Sequence, residues 1–364
     1  MKTGELCSYL DAVVPLSLQE SYDNSGLQVG RPEKEIEAAL ITLDVTEEVL
    51  EEAVSKGCGL IISHHPVIFK GLRKLAWSSP VERIIARAIR NDIAIYSAHT
   101  NLDMLGSGVS RKLAEKLGLS DISVLQPLEG RLLKLVTFVP SEHLGKVRNA
   151  VFQAGARYIG NYDCCGFVVS GKGSFRAGEG TNPFVGEQGE MHFENEERFE
   201  TVLFSHLKGK VIKALLEAHP YEEVAYDLYK LENDNTNLGL GCYGYLSEAI
   251  SDRDFLALVA EKLQAGGLRH SALNGTSIRK VAVCGGSGSS LLGDAIACRA
   301  DALVTGDIKY HTWFEADNKI LLADCGHFES EKFSVEVLHD LIIKKFPKFA
   351  LRFSETNTNP INYL

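Results

Sequence analysis

The sequence is short of every feature that would take it out of the ordinary globular class. Met1–Leu6 carries no apolar signal core, and no run is long enough to span a bilayer. A cytoplasmic protein without membrane contact is therefore expected. No CxxC pair occurs among the eight cysteines. Cys58, Cys284, Cys298 and Cys325 sit in apolar surroundings and read as small buried residues. The adjacent Cys164 and Cys165 could be redox-active or metal-binding, but two ordinary thiols in a strand is the favoured reading. There is no basic excess either. A formal net charge of −10 argues against a general nucleic-acid binder, though not against a local basic patch.

What is present fits a soluble chain of more than one domain. At 364 residues, 45% hydrophobic and 24% charged, there is ample material for a core, and two domains are the natural expectation. The pattern centres on Leu60-Ile61-Ile62-Ser63-His64-His65-Pro66. The apolar run predicts a buried strand and the proline ends it. Where the backbone turns at a strand end, both imidazoles can face one pocket, and the ends of parallel strands are where α/β proteins place their sites.

The flanking pattern supports this. Helix Gly4–Val14, strand Leu27–Val29 and apolar run Ala38–Leu43 lead to a helix Glu47–Lys56, with Asp44 or Thr46 as its cap and Gly57 as its stop. Helix Val81–Asn91 and strand Ile93–Ser97 follow, and the strand delivers His99 and Asp103. Beyond residue 238 the same order returns. Strand Val281–Cys284, a glycine-rich turn Gly285–Ser290, helix Leu291–Arg299 and strand Ala302–Thr305 lead to Asp307 and His311; strand Ile320–Asp324 leads to His327 and Glu331. This predicts a pseudo-symmetric two-half α/β core, residues 1–125 and 238–364. Between the halves, strands Leu132–Val139, Tyr162–Gly171, Arg198–Ser205 and Val224–Leu231 alternate with helices Ser141–Ala154 and Leu207–Ala218. Residues 126–237 thus read as an inserted ferredoxin-like α+β domain. Gly171–Glu197 is expected to be a mobile loop and Asn233–Asn237 the linker back out.

The chemistry lies in the strand ends. His327 and Glu331 fall on one helix face if Phe328 onward is helical. Alone they would be a solvated surface pair. Together with His64, His65 and Asp103 they make three histidines and two carboxylates, a set suited to two first-row divalent ions with a bridging carboxylate, Glu331 being favoured. Zn²⁺ is favoured, with Mn²⁺ or Fe²⁺ as alternatives. Such a site activates water against a carbonyl, phosphoryl or purine carbon. His99 and His311 are the candidate catalytic or supporting groups. Asp103 could instead cap a helix. Gly285–Ser290 could cradle a phosphate, but it lacks the lysine of a P-loop, and a tight turn is at least as good a reading. His219-Pro220-Tyr221-Glu222 could be a helix end and turn.

Six segments in this order resemble the Nif-three-like family, whose members are often labelled GTP cyclohydrolase I type 2 homologues: Asp23–Gly30, Ser63–Pro66, Ala98–Asp103, Gly285–Gly288, Thr305–His311 and Gly326–Glu331. The resemblance covers residues 1–125 and 238–364. The middle region resembles CutA-like and PII-like modules. The resemblance implies a dinuclear metal site on His64, His65, Asp103, His327 and Glu331, and a homo-hexameric ring with its sites facing a cavity. It implies hydrolysis of a nucleotide or related small molecule, with GTP ring opening as the specific form. The alternatives are a non-catalytic metal-binding regulatory or sensor scaffold, and a ring that threads nucleic acid, against which the acidic charge counts.

Overall fold

The structure, a computed structural model, describes residues 1–160, 162–233 and 235–364. It is a mixed α/β protein with three sheets among the described residues. The chain divides into two compact units, Met1–Pro127 with Asn237–Leu364, and Leu128–Thr236.

In the first unit, one sheet has the order Gly26–Val29, Ala94–Ser97, Leu60–Ser63, Ala38–Thr42, Ala350–Phe353. The first strand is antiparallel and the other four are parallel. The three inner strands, Ala38–Thr42, Leu60–Ser63 and Ala94–Ser97, are buried along their length because both faces are covered. Alternate residues serve opposite faces. Ile41, Ile62 and Tyr96 pack with Leu6 and Leu10 of helix Thr3–Val13 and with Leu338 and Ile342 of helix Ser334–Lys345. Leu40, Ile61 and Ile95 pack with Val49, Leu50 and Ala53 of helix Glu47–Ser55 and with Ile84, Ile85 and Ala88 of helix Pro80–Arg90. Each buried Leu or Ile contributes roughly 1.5–3 kcal/mol. Thr46 caps helix Glu47–Ser55, its hydroxyl accepting from Val49 N. Pairing of Thr42 with Ser63 and of Ser63 with Ser97 aligns the C-terminal ends of the strands. His64, His65 and His99 therefore leave the sheet from the same edge.

The second sheet of this unit has the order Arg269–His270, Leu321–Asp324, Ala302–Thr305, Ser277–Val283, Asn235–Ser251, Ser120–Leu128. Its three central strands, Ser277–Val283, Ala302–Thr305 and Leu321–Asp324, are parallel, with Thr305 opposite Asp324. The sequence placed residues 238–364 in one half. Strand Ala350–Phe353 of that stretch pairs with Ala38–Thr42 in the first sheet.

The second unit is a four-stranded antiparallel sheet in the order Phe167–Arg176, Met191–Phe204, Leu132–Pro140, Tyr226–Leu231. Helices Leu144–Gln153 and Lys208–Ala218 supply Val147, Val151, Val211 and Leu215 to a core with Leu135 and Phe199. The strand expected at Tyr162–Gly171 begins at Phe167 and runs to Arg176. Much of the expected mobile loop Gly171–Glu197 is the far end of a hairpin, paired from Phe167–Glu200 to Arg176–Met191. Its glycines and glutamates suggested a loop, but the backbone ladder satisfies these strands while their side chains stay largely exposed. Cys164 is not in a strand; it is exposed at a turn with φ +56°. Of the four cysteines expected to be buried, Cys58, Cys284 and Cys325 are, and Cys298 is half-buried. The expected linker Asn233–Asn237 includes Asp234, which lies outside the described residues; strand Asn235–Ser251 takes up the segment after it. Among the described residues no helix is long and apolar enough to cross a membrane.

Candidate metal centre

The strand ends of both sheets in the first unit deliver their side chains to one place. His64 is fully buried, and its Nδ1 lies 2.8 Å from the Ala98 carbonyl. Nδ1–H must donate there, since a carbonyl only accepts, so Nε2 is the ring nitrogen turned into the site. That Nε2 is buried without a hydrogen-bond partner. It faces Asp103 Oδ1 at 3.6 Å and Glu331 Oε1 at 3.8 Å. A buried polar atom left unpaired costs about 1–3 kcal/mol, so this is the atom a cation would satisfy.

The other histidines follow the same plan. His65 Nδ1 is 2.7 Å from Asp44 Oδ1, and its Nε2 is 2.9 Å from Glu331 Oε2. His327 Nδ1 is 2.7 Å from Asp307 Oδ2, and its Nε2 is 2.9 Å from the same Glu331 oxygen. The two Nε2 atoms lie 3.4 Å apart. His99 Nδ1 is 2.8 Å from Asp23 Oδ1. One nitrogen of each ring is thus fixed by an outer acceptor, which orients the other inward, as in metal-binding imidazoles. Glu331 sits between, one oxygen toward His64 and the other toward His65 and His327. Three groups can each hold a metal ion: His64, His65 and His99; His65, His327 and Glu331; His64, Asp103 and Glu331. Within each group the donor atoms lie within 4.8 Å of one another.

Helix His327–Glu331 puts its first and last residues on one face, as the spacing predicted. Asp103 ends a short helix, Thr100–Asp103, rather than capping one. His99 is in the cluster, in ring contact with both His64 and His65. His311 is not brought in; it is exposed beside Tyr310 and lies outside the three groups. The glycine-rich turn closes on the site from behind. Its amides serve the protein itself: Gly285 N donates to Ser110 Oγ, Gly286 N to Ser330 Oγ and Gly288 N to Thr305 Oγ1. These three amides are used within the turn and its neighbours, which favours the tight-turn reading. Gly286 has φ +60°, and a Cβ there would lie 2.1 Å from Glu331 Oε1.

Sequence reasoning missed the outer acceptors. Asp44 was considered only as a helix cap, and Asp23 only as part of a motif. Nothing local marks them, because Asp44 is 21 residues from His65 and Asp23 is 76 from His99.

The electrostatics fit a cation site. Burial pushes Asp103 up to about 6, helped by the Glu331 charge and opposed by the imidazoles. Glu331 is buried, which alone would raise it, yet His327, His64 and His65 hold it well below the usual carboxylate range. His65 is raised to about 10: burial opposes its charge, but Asp44 and Glu331 outweigh it. Glu331 and then Asp307 raise His327 to about 9, against burial. Both rings therefore carry protons at pH 7 in the metal-free chain, and a cation must displace them. Apparent metal affinity should rise with pH through neutrality toward those values and fall as pH drops. Titrating Zn²⁺ into weakly buffered protein at pH 7 should release protons, and the His65→Ala chain should release fewer.

The chain's end reaches the same place. Thr358 Oγ1 donates to Asp44 Oδ2, so the segment after the last strand steadies the acceptor that orients His65. That segment is tied down by Glu52, which accepts from Ser354 Oγ, Glu355 N, Thr356 Oγ1 and Lys56 Nζ. Burial would raise Glu52, but Lys56 and these tail donors hold it down at about 2. Its contribution is therefore present above the ordinary glutamate range and is lost as pH falls through about 2. Glu52→Ala should speed amide exchange at Glu355 and Thr356 and weaken zinc binding a few-fold through Asp44.

These features define an α/β protein with side-chain clusters able to bind a metal ion. The family Duf34/NIF3 (NGG1p interacting factor 3) matches residues 1–360, and the chain belongs to it. A relative from Halalkalibacterium halodurans, named GTP cyclohydrolase 1 type 2 homolog, is 44% identical over 315 residues, covering 86% of this chain and 85% of its own. A Bacillus subtilis relative of the same name is 40% identical over 347 residues, covering 94% and 93%. The crystal structure of a Bacillus cereus protein related to NIF3 superposes with a TM-score of 0.87 at 39% identity, covering 100% of this chain and 99% of that one.

Proposed function

We propose that this chain is a metal-dependent hydrolase acting on a nucleotide or related small molecule, with GTP ring opening as the most specific form. The observation that carries it is the buried, unpartnered Nε2 of His64 facing two carboxylates, in a site where four imidazoles converge. His64, Asp103 and one Glu331 oxygen would hold one divalent ion. His65, His327 and the other Glu331 oxygen would hold a second, Zn²⁺ being favoured over Mn²⁺ or Fe²⁺ for this nitrogen and oxygen set. When bound, such ions supply Lewis acidity and lower the pKa of water. The chain's own residues do the rest. Asp44 and Asp307 keep His65 and His327 aimed inward. His99, fixed by Asp23, is the group we assign to proton transfer. His311 would meet substrate from outside the cluster. The relatives' name favours GTP. Incubating metal-loaded protein with GTP should give ring-opened product and formate; their absence would remove GTP from the reading.

The same reading takes the first unit as two pseudo-symmetric halves, residues 1–125 and 238–364, interrupted by a ferredoxin-like CutA/PII-type insert, 126–237. The four-stranded order of the second unit supports that insert. It also takes the assembly as a homo-hexameric ring, which sedimentation of the purified chain would test. A regulatory scaffold is the second reading, favoured by the separate second unit. Cellular function unchanged by Glu331→Ala would select it.

A further inference from the structure

The second unit holds a cavity of about 300 Å³ that the metal chemistry does not use. Its walls are aromatic. Phe175 and Phe184 both contact Tyr221, with centroids 6.3 and 6.1 Å from it and planes tilted by 57° and 47°. Tilted rings form a cup rather than a slot, which suits a compact rounded group better than a flat one. The charged lining is mainly acidic: Glu196, Glu222 and Glu223, with Arg176 as the one opposing charge. Two of these carboxylates are positioned. Tyr221 Oη donates to Glu196 Oε1 at 2.9 Å, which ties the carboxylate to the cup. Glu222 Oε1 accepts from Asn182 N at 2.9 Å, which anchors the loop that carries Phe184. A purely apolar ligand would gain nothing from carboxylates at the wall. A cation gains twice, from the ring faces and from the carboxylate.

We propose that this cup is a binding site for a small organic ammonium cation, with its alkylated nitrogen against Phe175, Phe184 and Tyr221 and its charge toward Glu196. Choline and its neutral isostere 3,3-dimethylbutan-1-ol separate charge from shape. Titrated into the full chain by calorimetry, choline should bind about tenfold or more tightly than the alcohol. Phe184→Leu and Glu196→Gln should each weaken choline by about tenfold. Phe184 is 51% exposed, so its replacement leaves the core intact, and an unchanged unfolding midpoint checks this. Equal affinity for the two probes, no choline binding, or binding unaltered in both variants would overturn the proposal.

Discussion

Zn²⁺ should raise the unfolding temperature of the native chain by several degrees and that of the Glu331→Ala chain by far less. A ligand at a thousand times its dissociation constant stabilises by about 4 kcal/mol, and each kcal/mol is worth roughly 2–4 °C in a unit of this size. Glu331 faces His64 on one side and both His65 and His327 on the other. Without it, neither carboxylate-containing group in the cluster is complete. The metal-free variant should also be less stable than the metal-free native chain, by about 3–5 kcal/mol, because two protonated imidazoles lose a buried counter-charge. Glu331→Gln keeps the shape and loses the charge, so it should fall between the two. Calorimetric scans with and without zinc check all of this. A zinc-dependent shift retained in full by Glu331→Ala would contradict it.

Gly306→Ala should destabilise the chain by about 1–3 kcal/mol and weaken metal binding with it. Gly306 follows strand Ala302–Thr305 and packs against the turn that starts helix His327–Glu331. An added Cβ would meet His327 N at 2.8 Å, Gly326 C at 2.9 Å and His327 Cα at 2.9 Å. These are backbone atoms and cannot rotate away. The turn would have to move, taking His327 from its 2.9 Å contact with Glu331. Gly293→Ala is the control, since a Cβ there meets nothing within 4 Å and the site lies in helix Leu292–Ala297. That change should be neutral or stabilise by up to about 1 kcal/mol. Urea unfolding of both variants decides the matter, and a Gly306→Ala chain as stable as Gly293→Ala would contradict the packing described.

The strand ends were legible because local pattern carries them. An apolar run followed by His64-His65-Pro66 announces a buried strand and its exit, and His327 to Glu331 spans one helical turn. The outer acceptors were not legible. Asp44, Asp23 and Asp307 are joined to their histidines across the fold, and an aspartate after a strand looks the same whether it caps a helix or holds an imidazole. Strand Ala350–Phe353 was missed for a similar reason, since its partner Ala38–Thr42 lies at the other end of the chain. The hairpin Phe167–Phe204 was obscured because its glycines and glutamates look like a loop, while backbone pairing, which sequence does not display, holds it together.

The central claim is that His64, His65, Asp103, His327 and Glu331 bind metal. Elemental analysis of the untagged, purified chain tests it most directly. About two first-row divalent ions per chain are expected. Little metal even after reloading would mean that the constellation is structural, and the hydrolase reading would then give way to the scaffold.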